Sequence, residues 1–235
     1  MTNTIAIIPA RGGSKGIPGK NLVTICGHPL LAWSIMQALA TDSIDSVWVS
    51  SDDNKILDVA DSYGAHPIKR PMEISGDTAT SESAWIHAIE IINTLDARPD
   101  LVVGMQATSP IRDSTDLDNA VRLFRHSEYD SLMSVNKIED FHTWRIGIDG
   151  APESINYDYR NRQRRQNIEK KYLENGSFYI FTPDSLKKNV NRLSGNIGMY
   201  VMEKFKMFQI DDPQDIPLCE AIMKHYQLDS KLFPQ

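Results

Sequence analysis

The sequence predicts an α/β domain on a Rossmann-like, mixed but mostly parallel sheet. Apolar runs of strand length alternate with segments of helical periodicity. The first run, Ile5-Ala6-Ile7-Ile8, is apolar throughout, as a strand covered on both faces must be. A glycine-rich stretch, Arg11–Gly19, follows it at once, where α/β sheets place ligand-binding loops.

Taken in order, Pro9 closes the first strand. Pro29–Leu39 reads as a helix, with Leu30, Leu31, Ile35 and Leu39 on or near one face. Val47-Trp48-Val49 is a second strand. Ser50-Ser51-Asp52-Asp53 then offers caps for a helix over Asn54–Tyr63, which Gly64 ends. Ser81–Leu95 is a helix, Leu101-Val102-Val103 a strand, Ser114–His126 a helix and Ser131–Val135 a strand. In such a sheet the loops after Ile8, Val49 and Met105 share one rim. The rhythm lapses from about Phe141 to Lys171, where Trp144, Tyr157, Tyr159, Arg160, Arg162, Arg164 and Arg165 gather. It resumes with a strand over Ser177–Phe181 and a last helix over about Pro213–Tyr226. The expectation is one domain over 1–235 with an arm inserted at about 140–172.

Composition narrows the partners. Over 235 residues, 41% are hydrophobic and 24% charged, enough for a packed core. A net charge of −6 disfavours nucleic acid as the main partner, because phosphates need a basic face. Cys26 and Cys219 form no CxxC pair, so reduced thiols are expected rather than zinc ligands. The apolar run Ile5–Pro9 falls short of the roughly 7–15 residues of a signal core. No segment approaches the roughly 20 apolar residues of a membrane span. A cytoplasmic protein without a membrane partner is expected.

The chemistry is concentrated in Pro9-Ala10-Arg11-Gly12-Gly13-Ser14-Lys15-Gly16-Ile17-Pro18-Gly19-Lys20-Asn21. Glycines let backbone amides approach an anion, and successive amides form a nest. Arg11, Lys15 and Lys20 add positive charge, so a triphosphate is the fitting guest. Two familiar phosphate loops fail here. A Walker alignment on Gly19-Lys20 puts Ser14 at the first glycine and Asn21 at the magnesium-binding Ser/Thr. The GxGxxG fingerprint fails because Gly12 and Gly13 are adjacent and Pro18 interrupts the helix it should open.

The stretch IIPARGGSKGIPGKNL resembles the signature of the N-acylneuraminate cytidylyltransferases, the CMP-sialic acid synthetases. Matching segments continue in order: Arg70-Pro71, Asp77–Ser83 with His87-Ala88, Gln106-Ala107-Thr108-Ser109-Pro110-Ile111-Arg112, Arg165-Gln166, Asn175-Gly176, and Ile210-Asp211 with Asp215. The CMP-Kdo synthetases instead look like PARYxSTRLPGKPL at the first loop. The Gly12-Gly13-Ser14-Lys15 version is similar to the neuraminate branch.

The resemblance implies a fold of the nucleotide-diphospho-sugar transferase type. It also implies transfer of a cytidylyl group from CTP to an acidic nine-carbon sugar, with release of pyrophosphate. Arg11 and Lys20 would hold the triphosphate and act in catalysis, with Gly12, Gly13, Ser14 and Lys15 from the same loop. Asn21 and Ser81 would bind nucleotide, and Arg70 its cytosine side. Gln106 would contact the sugar acid, for which a side-chain amide is suited because it both donates and accepts. Arg165 would meet the substrate carboxylate from the neighbouring subunit of a homodimer, where a planar guanidinium fits. Asn175 and Tyr179 would line the sugar pocket, and the arm would make the dimer contact. The cofactor implied is Mg2+.

The match weakens at the metal. The family shows an Asp-x-Asp pair followed after three residues by another Asp, but here the segment reads Gln209-Ile210-Asp211-Asp212-Pro213-Gln214-Asp215. Asp211 remains the expected ligand, with Asp212 as a second candidate. Asp215 suits the first turn of the last helix. Asp52 and Asp53 fit helix capping better than metal binding, His87 fits packing, and Trp33, Trp48 and Trp85 fit the core. The general base stays open between Asp211 and a metal-bound hydroxide. Rivals are a Kdo-type or guanylyl-transferring relative of the same fold, and a non-catalytic nucleotide- or RNA-binding module using the arginine run.

Overall fold

A computed structural model describes residues 2–95, 97–138, 142–167 and 169–231, with the side chains of Arg165 and Lys231 left aside. Strand β1 (Thr4–Pro9) leads into the glycine-rich loop. A small hairpin, β2 (Thr24–Ile25) and β3 (His28–Pro29), then opens helix α1 (Leu30–Leu39). Next come β4 (Ser46–Ser51), α2 (Asn54–Ser62), β5 (His66–Lys69), α3 (Ser81–Thr94), β6 (Leu101–Met105), α4 (Ser114–Arg125) and β7 (Ser131–Ile138). The arm follows with the hairpin β8 (Trp144–Ile146) and β9 (Pro152–Ser154). The chain closes with β10 (Lys171–Phe181), α5 (Pro183–Asn189), β11 (Ile197–Met202), α6 (Asp215–His225) and α7 (Leu228–Lys231).

The main sheet has seven strands in the order β11-β7-β10-β6-β1-β4-β5. Only β10 runs antiparallel to its neighbours. The chain steps outward from β1 to β4 and β5, then returns to β6 on the other side of β1. That reversal makes a switch point between β1 and β6, where open α/β sheets bind ligands.

The alternation in β1 explains its apolar run. Ala6 and Ile8 face a layer with Leu31 and Ile35 of α1, Ile56 of α2 and Leu117 of α4. Ile5 and Ile7 face Trp85, Ala88 and Ile92 of α3. Trp33, Trp48 and Trp85 are buried. A third cluster joins Trp33 to Ile111, Ile210, Cys219 and Met223, so α6 anchors the segment that precedes it against α1. Both cysteines are free thiols.

Side-chain caps start α2 and α4. Asp53 accepts from the Lys55 amide at 2.8 Å to open α2. Asp113 and Asp116 form a reciprocal capping box on α4. Among the described residues no helix is long and apolar enough to cross a membrane.

Candidate active site

Three sheet-end loops meet over the switch point. A cleft of about 320 Å³ is lined by Arg11, Gly13, Ser14, Lys20 and Asn21 after β1, by Arg70 and Ser75 after β5, and by Gln106 and Thr108 after β6. Thr80 and Ser81 also line it, so the amino end of α3 opens on the cleft. Free backbone amides there favour an anion. A second cavity of about 260 Å³ lies in the arm, around His142, Tyr157, Asn161 and Lys171, and carries none of the loop cations.

The loop is held from three sides. The Gly12 amide donates to Asp52 Oδ1 at 3.0 Å, and Asn21 Nδ2 donates to the Arg11 carbonyl at 2.9 Å. Gly16 lies against the Asp211 backbone: a Cβ there would come within 2.4 Å of the Asp211 carbonyl oxygen, so only glycine fits this approach. Gly19, at φ +64°, turns the chain into a short 3-10 turn over Lys20–Leu22.

The cations have internal counter-ions. Arg11 donates to Asp77 at 3.0 Å and to the Gly76 carbonyl at 3.1 Å, and Lys15 meets Asp77 at 2.9 Å. Hydrogen bonding from Lys15, aided by Arg11, holds the Asp77 carboxyl below the usual carboxylate range. Lys20 Nζ meets Asp211 Oδ1 at 2.8 Å; its side chain is 15% exposed and that of Asp211 is 71% exposed. Arg70 is buried, donates from Nε to Ser75 Oγ at 3.1 Å, and lies 3.8 Å from Asp52. Burial lowers its pKa, and Asp52 opposes that shift.

The opposite wall comes from the segment before α6. Lys206 is buried among Asp116 at 2.7 Å, Asp113 at 3.1 Å and Glu203 at 2.6 Å, which fixes this segment to the start of α4. The Ile210 amide donates to the Thr108 carbonyl at 2.8 Å. Asp215 accepts the amides of Asp211 and Asp212 at 2.9 and 2.8 Å, and these bonds lower its pKa. Asp212 Oδ1 accepts from the Gln214 amide at 3.1 Å. Gln209 Nε2 donates to the Asn175 carbonyl.

Most of the sequence-derived residues therefore converge, but two do not reach the cleft surface. Asn175 is 1% exposed, and interior partners take up its amide: Oδ1 accepts from Ser134 and from the Ser177 amide, and Nδ2 donates to Asn136. Tyr179 is 2% exposed and faces the α3 layer with Trp85. Its hydroxyl donates to Glu174 at 2.5 Å, and the Arg192 guanidinium lies 4.7 Å from its ring. Burial and then Glu174 push its pKa up to about 12. Both side chains are turned to interior partners here, and the sugar-lining role implied for them by the resemblance stays an expectation. Arg165 begins a 3-10 turn in the arm, but its side chain lies outside the described residues, as do Asp140, Phe141 and Ile168.

Sequence reading did not give Arg112 a role. It is 1% exposed and donates from Nε to Gln37 Oε1 at 2.9 Å, to the Ser177 carbonyl and hydroxyl, to Ser34 Oγ, and to the Gln106 carbonyl at 3.0 Å. It thus ties the cleft end of β6 to β10 and α1. Burial lowers its pKa to about 9, and Asp116 opposes the shift, so it stays charged at neutral pH. Arg112→Ala strands several interior acceptors, each costing about 1–3 kcal/mol. A net loss of about 3 kcal/mol is expected, a fall in Tm of about 6–12 °C for a chain of this size, measurable by calorimetry.

A glycine-rich cationic loop beside the switch point gives this α/β domain the setting of an anion site, as a nucleotidyltransferase needs. Its sequence goes further: the chain belongs to the cytidylyltransferase family, whose model, described as "Cytidylyltransferase", matches residues 5–233. It is 31% identical over 222 residues to a pseudaminic acid cytidylyltransferase of Campylobacter jejuni, covering 94% of this chain and 96% of that protein. It is 34% identical over 217 residues to an N-acylneuraminate cytidylyltransferase of Oncorhynchus mykiss, covering 92% of this chain. The chain spans about half the length of that fish protein, 49%. Among solved structures, a CMP:2-keto-3-deoxy-manno-octonic acid synthetase complexed with CTP matches with a TM-score of 0.71 at 16% identity, over 96% of this chain and all of that one. A 4-diphosphocytidyl-2C-methyl-D-erythritol synthase from Anaerococcus prevotii matches at 0.64 and 15% identity. These two likenesses concern the fold.

Proposed function

We propose that the chain joins CTP to a nonulosonic acid, of the N-acetylneuraminate, legionaminate or pseudaminate type, to give a CMP-sugar for surface glycan synthesis. The observation that carries this reading is the cleft itself. One wall is the glycine-rich loop with Arg11 and Lys20, fit for a triphosphate, and Lys15 stands on the same loop. Gln106 stands at its other end, at the carboxyl end of β6.

The acceptor's anomeric hydroxyl attacks the α-phosphorus. Its oxygen–phosphorus bond forms as the bond to the β-phosphate breaks, and the hydroxyl proton is released. Arg11 and Lys20 stabilise the charge that gathers on the departing pyrophosphate. For this they exchange Asp77 and Asp211 for phosphate oxygens. Arg70, fixed by Ser75, is read as the group on the cytosine side, and Asn21 and Ser81 as nucleotide contacts.

The donor set bears on magnesium. Among the described residues no group of three or more acidic, His or Cys side chains can hold a metal. Asp215 is engaged by two backbone amides, and Gln209 cannot supply an anionic oxygen. That leaves Asp211, with Asp212 beside it. One carboxylate with phosphates and waters suits magnesium, which keeps several waters and binds few protein ligands. When bound there, the ion would neutralise charge on the phosphates.

The arm is read as a homodimer contact, carrying Arg165 to the acceptor carboxylate in the neighbouring site. Exposed Ile146, Ile148 and Ile155 support a partner for it. A panel of nonulosonates tested against CTP and GTP, scored by pyrophosphate release, tests the whole reading. Release is expected with CTP and at least one acid. Silence across the panel would overturn it.

A further inference from the structure

The segment that bears Asp211 also brings Gln209 close to Gln106, which lines the cleft. Gln209 comes from before α6 and Gln106 from the end of β6, yet both amides converge on Gly176 of β10. A Cβ at Gly176 would sit 3.0 Å from Gln106 Oε1 and 3.0 Å from Gln209 Nε2. Gly176 has φ +63° and lies in the irregular stretch of β10 between Glu174 and Tyr179. The missing side chain is the space into which the two amides close.

Their hydrogen-bonding capacity is only partly used. One Gln209 N–H is donated to the Asn175 carbonyl, which fixes the amide plane. Among the described residues, the Gln106 side chain forms no hydrogen bond, and Gln209 Oε1 forms none either. Gln106 is held from behind instead: its backbone N–H donates to the Ser177 carbonyl at 3.2 Å, and its backbone carbonyl accepts from Arg112 at 3.0 Å. The pair thus offers N–H donors and carbonyl acceptors from a rigid base beside the phosphate loop. A cation prefers anionic oxygens, whereas neutral amides match groups that donate and accept together, such as sugar hydroxyls and acylamino groups.

We infer that Gln209 is an acceptor-recognition residue, which with Gln106 forms a two-amide floor for the hydroxyl or acylamino groups of the sugar acid and takes no part in holding metal. This rests on the nonulosonate reading above. It places the specificity of the site on the segment that also carries Asp211, so acceptor and phosphate recognition share one wall. A site built to hydrogen-bond a polar group discriminates strongly against ligands that lack it.

The test is steady-state pyrophosphate release by wild type, Gln209→Leu and Gln209→Glu, with acceptor, CTP and magnesium each varied in turn. Gln209→Leu keeps bulk but removes both polar functions. Gln209→Glu keeps shape and replaces the donor with a charge that repels an acid. The expected result is an acceptor KM about 10- to 100-fold higher in both variants. In Gln209→Leu the CTP KM and the magnesium half-saturation should stay within about twofold of wild type, because neither group touches the amide pair. A merely structural role would instead lower Tm and move both KM values together.

An unchanged acceptor KM, or a shift confined to magnesium, would overturn the inference while leaving the nonulosonate reading intact. Wild type that binds CTP by calorimetry but turns over no nonulosonate fails the parent reading itself, and the inference falls with it.

Discussion

Lys20→Ala is expected to lower kcat by about 10²–10³-fold, the loss typical of removing one preorganised charge-stabilising donor. The geometry says why the effect should fall on chemistry. The Lys20 side chain is largely enclosed, and among the described residues it pairs with the exposed Asp211 at 2.8 Å. That pair is worth at most about 1 kcal/mol, because water screens the exposed partner. The fold therefore has little to lose, and Tm should shift by no more than about 2–4 °C. Lys20→Arg should rescue poorly, since a planar fork does not replace a compact ammonium. Measuring kcat and KM for CTP separately decides the role. A raised KM with kcat preserved would make Lys20 a binding group for ground state and transition state alike.

The local features of this site were legible in the chain, and its long-range partners were not. The loop, its glycines and its cations are consecutive, so their chemistry could be read in one window. The alternation of strands and helices placed that loop on the ligand rim, and the structure puts it there. By contrast, Lys20 and Asp211 are 191 positions apart, and Gly12 and Asp52 are 40 apart. Asp52 was read as a capping residue. Asp53 does the capping, and Asp52 instead anchors the loop.

Two edge strands were missed for related reasons. β5 contains Pro67 and buries only Ile68, a pattern tolerated at an edge but weak as a signal. β11 mixes Gly198 with half-exposed Ile197, Met199 and Val201, so it lacks a run of buried residues. Asn175 and Tyr179 were placed on the sugar side by resemblance alone. Whether their side chains face the cleft or the interior depends on the irregular stretch of β10, which sequence spacing does not reveal.

Asp211→Asn sets two effects against each other, and their sizes decide the outcome. The change frees Lys20 for phosphate. That gain is limited to the value of an exposed ion pair, about 0–1 kcal/mol, less than tenfold in affinity. Of the three carboxylates in Asp211–Asp215, the change also removes the one that no backbone amide or cap uses among the described residues, since Asp215 holds the amides of Asp211 and Asp212 and Asp212 caps Gln214. Magnesium needs at least one such oxygen from the protein to be placed against the phosphates. The loss is therefore expected to dominate: magnesium-dependent turnover should be abolished, while Gln209→Ala leaves the magnesium dependence in place. CTP binding measured by calorimetry without metal should be retained or slightly tightened in Asp211→Asn, a readout independent of turnover. If metal-free CTP binding collapsed instead, Asp211 would be acting through the loop it touches at Gly16. If Gln209→Ala and Asp211→Asn lost magnesium-dependent activity equally and severely, the division of labour between the two residues would fail.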